Sequence, residues 1–332
     1  LFSKITFNKE NYISLLLALF PFSFIAGNMI ININLALLII SSIILFKLDI
    51  FKIKLFLLDK FFISYFFLII LTALINDYYF FSEKMSWKGY FSTVVKSIFF
   101  LKYLLLYLVL RFLTERKIIK FKLFFILCSA ATVFVSLDIF YQFFNGKDIF
   151  GFVGQNRKLS GPFGDEFIAG GFIQRYSLFA FFLLPIFFSN HKLNKYNKYF
   201  IPILFIIFFS TLIMTGNRMP TIVFLFSVTL ILIFQKQTRK FLIPFVIIFS
   251  LIFLILFKSN ITVRNNFLSF YAEISKMTQL VADKDFFNKN SNWYLKEFSS
   301  FYHTWLINKY IGGGIKNFRY YCHVRPNVNK NE

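Results

Sequence analysis

Two arginine-containing clusters interrupt long apolar runs and are the residues of this sequence best suited to chemistry. Arg218 lies in the short polar segment 215–220 (TGNRMP), and Arg157 begins the segment 157–166 (RKLSGPFGDE). A guanidinium in the middle of a membrane costs about 2.5–3.5 kcal/mol, so a charge between two apolar runs points to a function. An arginine fork can hold two phosphate oxygens at once, most strongly where water is scarce. Together with Arg175, these side chains predict a site for a lipid pyrophosphate.

Each cluster also has an ordinary structural explanation. Arg218 fits a charge that snorkels from a helix end toward water, with Pro220 beginning the next helix. The glycine-rich loop 145–170 fits a simple connector in which Asp165 caps the following helix. The coincidence of three arginines at three helix ends on one side of a membrane favours the phosphate site over both explanations.

The composition places these clusters in a polytopic membrane protein. The 332 residues are 58% apolar, the mean hydropathy is +0.65, and runs such as 201–215 and 241–257 carry no charge. Helices of soluble proteins keep a wet face, so these runs indicate membrane spans. We attribute the net charge of +22 to cytoplasmic loops and not to nucleic-acid binding. Cys128, in an apolar run, and Cys322, in the polar tail, predict no disulfide framework.

Nine apolar segments predict about nine transmembrane helices, so the expected fold class is all-α. They cover residues 12–26, 29–46, 61–75, 92–112, 123–144, 171–188, 199–215, 221–234 and 241–257. Several are shorter than the roughly 20 residues that a perpendicular span needs, so their ends are uncertain by a few residues. We predict a transmembrane helical domain over residues 1–257 and an external, periplasmic segment over residues 258–332.

The charges of the loops predict the orientation. One alternating set of loops covers residues 1–11, 47–60, 111–122, 189–198 and 235–240. These loops hold 17 Lys or Arg residues, whereas the short loops between them hold six. Basic loops stay in the cytoplasm, so the N-terminus is predicted inside. Loop 145–170, Arg218 and the tail 258–332 then share the periplasmic side of a bacterial inner membrane.

The tail has a pattern of its own. A helix is predicted from a cap at residues 291–292 to about Tyr310, where the glycines 312–314 stop it. Its apolar face fits a helix that lies on the membrane surface. The two histidines of this external segment are His303 and His323. We interpret His303 as a packing residue and His323 as an ambiguous one.

Three short motifs, taken in their order along the chain, resemble those of the O-antigen ligase and O-antigen polymerase family. Segment 157–172 (RKLSGPFGDEFIAGGF) looks like the R-x-x-G-x-F segment that precedes a span in that family. Segment 215–220 resembles its S/T-G-x-R turn, and Trp305 with residues 312–318 (GGGIKNF) is similar to its W-x(n)-G-x-G-x-x-N-F run. The resemblance implies a multi-span membrane glycosyltransferase with a large external loop.

The resemblance also implies an activity. Such an enzyme transfers a glycan from undecaprenyl pyrophosphate to lipid A core, as a ligase, or to a growing glycan, as a polymerase. The sequence does not decide between the two. The reaction requires no metal and no other cofactor, and the expected partners are the lipid-linked glycan, the acceptor and the bilayer.

The family's functional residues carry over only in part. Arg157 and Arg218 would bind the donor pyrophosphate, with Arg175 as a weaker candidate. The residues that would shape the loops are Gly161, Phe163, Gly216, Gly312, Gly314 and Asn317. The family's external H-P-H-N-like histidine motif does not occur in this sequence, which leaves the general base unknown and His323 a weak substitute. We therefore expect the chain to be truncated before that motif and the last spans.

Two alternatives of another class stay open. A transporter or flippase for a lipid-linked sugar would often show two related halves and helices broken near the midplane. The sequence shows no internal repeat, and its irregular segments fall at the membrane edge. A non-catalytic scaffold of an envelope complex is the other alternative.

Overall fold

A computed structural model describes residues 9–79, 92–154, 158–188, 197–234, 239, 242–282 and 293–322. Every regular element in these ranges is a helix, and strand pairing there is limited to one isolated bridge between Lys147 and Val153. The prediction of an all-α fold is confirmed.

Thirteen α-helices follow one another in the described part of the chain. They are α1 (Lys9–Ala18), α2 (Phe20–Ile25), α3 (Asn28–Phe46), α4 (Leu57–Tyr79), α5 (Ser92–Glu115), α6 (Phe121–Asn145), α7 (Ala169–Phe188), α8 (Asn197–Met214), α9 (Arg218–Phe234), α10 (Leu242–Ser259), α11 (Ile261–Ala282), α12 (Trp293–Leu306) and α13 (Phe318–Tyr321). Each of the nine apolar segments falls on one or two of them.

Several helices are long and apolar enough to cross a membrane. Four single spans meet this requirement within the described residues: Asn28–Lys52, Leu57–Tyr78, Ser92–Glu115 and Phe121–Asn145. The bent pair α10 and α11, whose parts Ile243–Ser259 and Val263–Lys276 meet at 105°, would make a fifth if it forms one broken span. The protein is therefore compatible with a membrane, by the length and composition of its helices.

Three elements differ from the sequence prediction. The first apolar segment is two helices, because Pro21 has no N–H to continue the ladder of α1 and its ring crowds the preceding turn. Helix α11 was not predicted, although Asn260 caps it by accepting a hydrogen bond from the Val263 N–H at 3.1 Å. Helix α12 ends at Leu306, earlier than expected, and its predicted cap at 291–292 lies outside the described residues.

The chain packs as two compact units. Unit 1 comprises Leu1–Leu45 and Arg116–Phe270, and unit 2 comprises Phe46–Glu115 and Tyr271–Glu332. The predicted division at residue 257 concerns the position of the membrane and stays a prediction.

The core of unit 1 lies among α6, α7, α8 and α9. Phe208, Phe209 and Phe224 are fully buried there, and the rings of Phe205 and Phe209 stack with their centroids 5.5 Å apart. Lipid tails are as apolar as these side chains, so helices in a membrane associate mainly through close packing. This packing fixes the end of α8 and the start of α9, where Arg218 lies.

Unit 2 is built on the hairpin of α4 and α5. At one end of the hairpin the buried carboxylate of Asp59 accepts hydrogen bonds from the Phe56 N–H at 2.7 Å and from the Tyr107 hydroxyl. The Arg111 guanidinium lies 3.6 Å from the same carboxylate. The polar residues at the other end of the hairpin bind the glycine-rich part of the tail.

Candidate anion-binding site at the α8–α9 turn

A sharp turn joins α8 to α9 and places Arg218 in the first turn of α9. Gly216 has a φ of +71°, a left-handed conformation that glycine adopts without strain. The Thr215 hydroxyl donates to the Leu212 carbonyl at 2.8 Å, and the Thr221 hydroxyl donates to the Asn217 carbonyl at 3.0 Å. Both bonds join residues of the turn and the two helices beside it, so the turn is held by local contacts.

The glycine-rich loop after α6 docks on this turn. The Leu159 N–H donates to the Thr215 carbonyl at 3.3 Å, and the Asn217 amide donates to the Phe167 carbonyl at 3.1 Å. A Cβ added to Gly170 would lie 2.8 Å from the Asn217 Cβ, so the approach at that point requires glycine. The first two motifs of the sequence therefore meet in space.

The Arg218 side chain is half-buried beside α11. Its Nη2 donates to the Ser269 hydroxyl at 2.6 Å, and its guanidinium carbon lies 5.3 Å from the centroid of the Phe270 ring. Ser269 in turn donates to the Asn266 carbonyl at 3.0 Å. Serine is neutral, so this bond orients the guanidinium without cancelling its charge.

A small cavity lies at this turn, with Arg218 among its lining residues. Its volume is about 10 Å³, which is roughly the room of one water molecule. Its lining includes Gly216, Asn217, Arg218, Thr221 and Asn266. Helix α11 supplies one wall, so the helix that the sequence did not predict is part of the site.

The other two arginines of the prediction are not joined to this turn in the described residues. Arg157 lies outside those residues, and Arg175 is exposed on α7 without a described contact to the turn. Lys158, and not Arg157, stands three residues before Gly161, as the R-x-x-G spacing requires. Its ammonium lies 5.9 Å from the centroid of the Phe167 ring. The weak catalytic candidate His323 also lies outside the described residues.

Gly161 and Phe163 anchor the loop to its neighbouring helices. The Gly161 N–H donates to the Gln142 Oε1 at 2.9 Å. Gly161 has a φ of +55°, and a Cβ there would lie 2.9 Å from the Ile139 Cδ1. The Phe163 ring packs on the Phe172 ring of α7, with centroids 5.4 Å apart.

Two buried polar residues of α6 hold the same loop, and the sequence analysis missed their role. The carboxylate of Asp138 accepts a hydrogen bond from the Ile149 N–H at 2.9 Å, and the Gln142 amide donates to the Phe152 carbonyl at 3.2 Å. The available signal was the pair of polar residues four apart on one helix face, just before a glycine-rich loop.

Two polar atoms at the contact between α6 and this loop lack a hydrogen-bond partner within the described residues. The Oδ2 of Asp138 and the hydroxyl of Ser160 are buried and have no hydrogen-bond partner there. A buried polar atom without a partner costs about 1–3 kcal/mol. Within the described residues, the loop is therefore held at some cost in stability.

The third motif folds in unit 2 and has a structural role there. The Asn317 amide donates to the Thr93 hydroxyl at 2.8 Å and to the Gly313 carbonyl at 2.6 Å. The Gly312 carbonyl accepts from Asn76 at 2.8 Å, and Gly312 and Gly314 both have a positive φ.

Close packing explains one glycine of this motif directly. A Cβ on Gly314 would lie 2.8 Å from the Thr93 Cγ2, so a larger residue would push the run away from the start of α5. The glycine-rich run is thereby fixed on the end of the hairpin of α4 and α5.

The described residues contain no group of three His, Cys, Asp or Glu side chains that could hold a metal ion. The contacts described above give the α8–α9 turn an oriented cation, Arg218, beside hydroxyl and amide groups. Such an arrangement suits an anionic oxygen ligand.

Comparison with known proteins gives no further guide, since no family model, no curated protein and no solved structure matches this chain. The resemblance to O-antigen ligases and polymerases depends on the three short motifs and their order.

Proposed function

We propose that this protein is a membrane glycosyltransferase that uses undecaprenyl pyrophosphate as the carrier of its donor glycan. The observation that carries the proposal is the docking of the loop 145–170 on the α8–α9 turn. Asn217 and Phe167, 50 positions apart, are joined by a hydrogen bond, and the guanidinium of Arg218 follows directly on the turn. Segments 157–172 and 215–220, two of the three motifs that resemble the family, are thus in contact at the α8–α9 turn.

The proposed reaction is a displacement at the anomeric carbon of the donor glycan. The acceptor hydroxyl forms the new glycosidic bond, the bond from that carbon to the pyrophosphate oxygen breaks, and a base takes the hydroxyl proton. Pyrophosphate is already a good leaving group, and the Arg218 guanidinium would stabilise its growing negative charge. Confinement of both lipid-linked reactants in one membrane supplies proximity.

The proposed topology has nine spans with the N-terminus in the cytoplasm. It places the loop 145–170, the Arg218 turn and the tail on the periplasmic side of a bacterial inner membrane. The four or five helices that are long enough to span support a membrane location. The excess of basic residues in alternate loops supports the orientation.

Transfer of glycan by Arg218 variants tests the proposal. The complete gene product is placed in a strain that lacks its own copy, and surface glycan is measured on gels. We expect Arg218→Gln to lower transfer about 100-fold or more, as loss of a transition-state contact does. Arg239→Gln is the matched control, because Arg239 is exposed and bonds only the Ile233 carbonyl among its described contacts. Normal transfer by Arg218→Gln would overturn the proposal.

The deletion strain separates the two forms of the reaction. Full-length lipid-linked glycan stranded off the core indicates a ligase, and single repeat units on the core indicate a polymerase. Surface glycan that does not change counts against both. Loss of flipping of a labelled lipid-linked glycan, with the transfer chemistry intact, would instead support a flippase.

A further inference from the structure

A second cationic cluster lies in unit 2, at the start of α5. The Lys96 ammonium and the Nη2 of Arg319 each lie 3.2 Å from the hydroxyl oxygen of Tyr320. Both cations also lie over the ring of Tyr320, at 4.6 Å for Lys96 and 5.0 Å for Arg319. Two like charges therefore converge on one neutral acceptor.

The positive charge of this cluster is not balanced by the part of the chain that the structure describes. Within those residues, neither Lys96 nor Arg319 forms an ion pair with a carboxylate. The neighbouring acid Asp77 accepts hydrogen bonds from the N–H groups of Thr93 and Val94 at 2.8 and 3.0 Å. Two nearby cations repel each other unless an anion binds between them.

The pKa values of the two adjacent tyrosines of α13 shift in opposite directions. The hydrogen bond from Lys96, helped by Arg319, lowers the pKa of Tyr320 although burial opposes the shift. Burial, with a smaller effect of the Asp77 charge, raises the pKa of Tyr321 to about 12. The side of α13 that carries Tyr320 is thus electropositive, whereas Tyr321 faces a buried, slightly acidic environment.

Hydrogen bonds to the hairpin hold the cluster in place. The Tyr321 hydroxyl donates to the Asn76 Oδ1 at 2.7 Å, and Asn317 bonds Thr93, three residues before Lys96. Arg319 and Tyr320 lie between these two anchors. A site whose groups are positioned before binding loses less entropy when a ligand arrives.

Exposed aromatic side chains surround this end of the tail. Trp305 is 50% exposed, Phe301 55% and Phe318 41%, and the rings of Phe301 and Phe318 pack with centroids 4.5 Å apart. Lys96 lies near the start of a helix that is long enough to span a membrane. Aromatic rings and basic residues at the end of a span are typical of the lipid headgroup level.

We propose that Lys96, Arg319 and the Tyr320 hydroxyl form a phosphate-binding site that takes the headgroup phosphate of an anionic phospholipid. The two cations would donate to the phosphate oxygens, and the Tyr320 hydroxyl would supply a third hydrogen bond. The site is in the other unit from Arg218 and does not depend on glycan transfer. A soluble phosphate ester is the alternative source of the same chemical group.

Lipid binding by charge-neutral variants tests the proposal. The complete protein is purified in a zwitterionic detergent, and retention of phosphatidylglycerol and of phosphatidylcholine is measured by native mass spectrometry. We expect Lys96→Gln with Arg319→Gln to weaken phosphatidylglycerol binding roughly 10-fold or more, since each hydrogen bond between charged groups contributes substantially. Lys296→Gln with Lys309→Gln removes two exposed charges of the same unit and should leave binding within about twofold.

Three further measurements make the outcome decisive. Lys96→Arg with Arg319→Lys keeps both charges and should bind phosphatidylglycerol like the unaltered protein. This variant separates the loss of charge from poor folding of the first variant. Inorganic phosphate is titrated in parallel, and phosphate binding that the variant loses, without preference for phosphatidylglycerol, supports the site with a soluble source. Equal lipid and phosphate binding by the first variant and the control variant would overturn the site. Failure of Arg218→Gln to affect transfer would leave this result unchanged.

Discussion

The α8–α9 turn of unit 1 and the glycine-rich run of unit 2 use the same residue types for different purposes. Both depend on a glycine with positive φ and on an asparagine that bonds distant backbone, Asn217 to Phe167 in unit 1 and Asn76 to Gly312 in unit 2. In unit 1 these groups hold a loop beside a half-buried guanidinium and a small cavity. In unit 2 the amides of Asn76, Asn308 and Asn317 mainly bond the run 312–317 and one another. The same residue types therefore hold a loop beside a charged side chain in unit 1 and hold a glycine-rich backbone run in unit 2.

The largest effect on the α8–α9 turn of unit 1 is expected from a change that disturbs the contact between the loop 145–170 and α6. Gly161→Ala puts a Cβ at a positive φ and 2.9 Å from Ile139, so we expect a loss of about 3 kcal/mol in the free energy of unfolding. Gly151→Ala also puts a Cβ at a positive φ, but with nothing within 4 Å, and should lose only about 1 kcal/mol. Thermal unfolding in detergent measures both. Equal losses would show that the close approach of Gly161 to Ile139 does not contribute to the free energy of unfolding.

A change of pH probes the second region. The pKa of Tyr321 is raised by burial to about 12, whereas an unfolded tyrosine ionises near 10. The folded state thus keeps its proton over that interval, and stability should fall by about 2–3 kcal/mol between pH 10 and 12. Tyr321→Phe should abolish this fall in pH-dependent unfolding experiments. A fall that persists in the variant would assign it to another group.

Replacing the two asparagines separates structure from function across the two regions. Asn317→Ala loses bonds to Thr93 and Gly313 and should cost about 2 kcal/mol of stability, with glycan transfer intact in the folded fraction. Asn217→Ala loses one partly buried bond to Phe167 and should cost about 1 kcal/mol, with a clear loss of glycan transfer. Unfolding and transfer are measured on both variants. The comparison fails if Asn317→Ala reduces transfer and Asn217→Ala does not.

The sequence predicted the helices better than the contacts between them. Long apolar runs predicted nine helical segments because a membrane span needs an apolar exterior along its length. Helix α11 was missed because Arg264, Asn265 and Asn266 break the apolar pattern within its first turns. Its cap at Asn260 was a local signal that a search for apolar runs does not use.

The site itself was predicted only as a collection of motifs. Arg218 and the adjoining loop were identified because a charge is rare between apolar runs. The roles of Asp138 and Ser269 were missed, since a helix residue that bonds a loop leaves no periodic signature. The same holds for the bond from Asn76 to Gly312, which joins residues 236 positions apart. Such pairs are set by tertiary packing and not by local pattern.

The central claim is that the α8–α9 turn binds a lipid pyrophosphate through Arg218, and direct binding measures it best. The purified protein is titrated with undecaprenyl pyrophosphate, which carries no glycan, and with undecaprenol as the uncharged control. We expect Arg218→Gln to weaken pyrophosphate binding about 10-fold or more, Arg218→Lys to fall in between, and Arg239→Gln to bind normally. If Arg218→Gln binds undecaprenyl pyrophosphate as tightly as the unaltered protein, the turn is not the donor site.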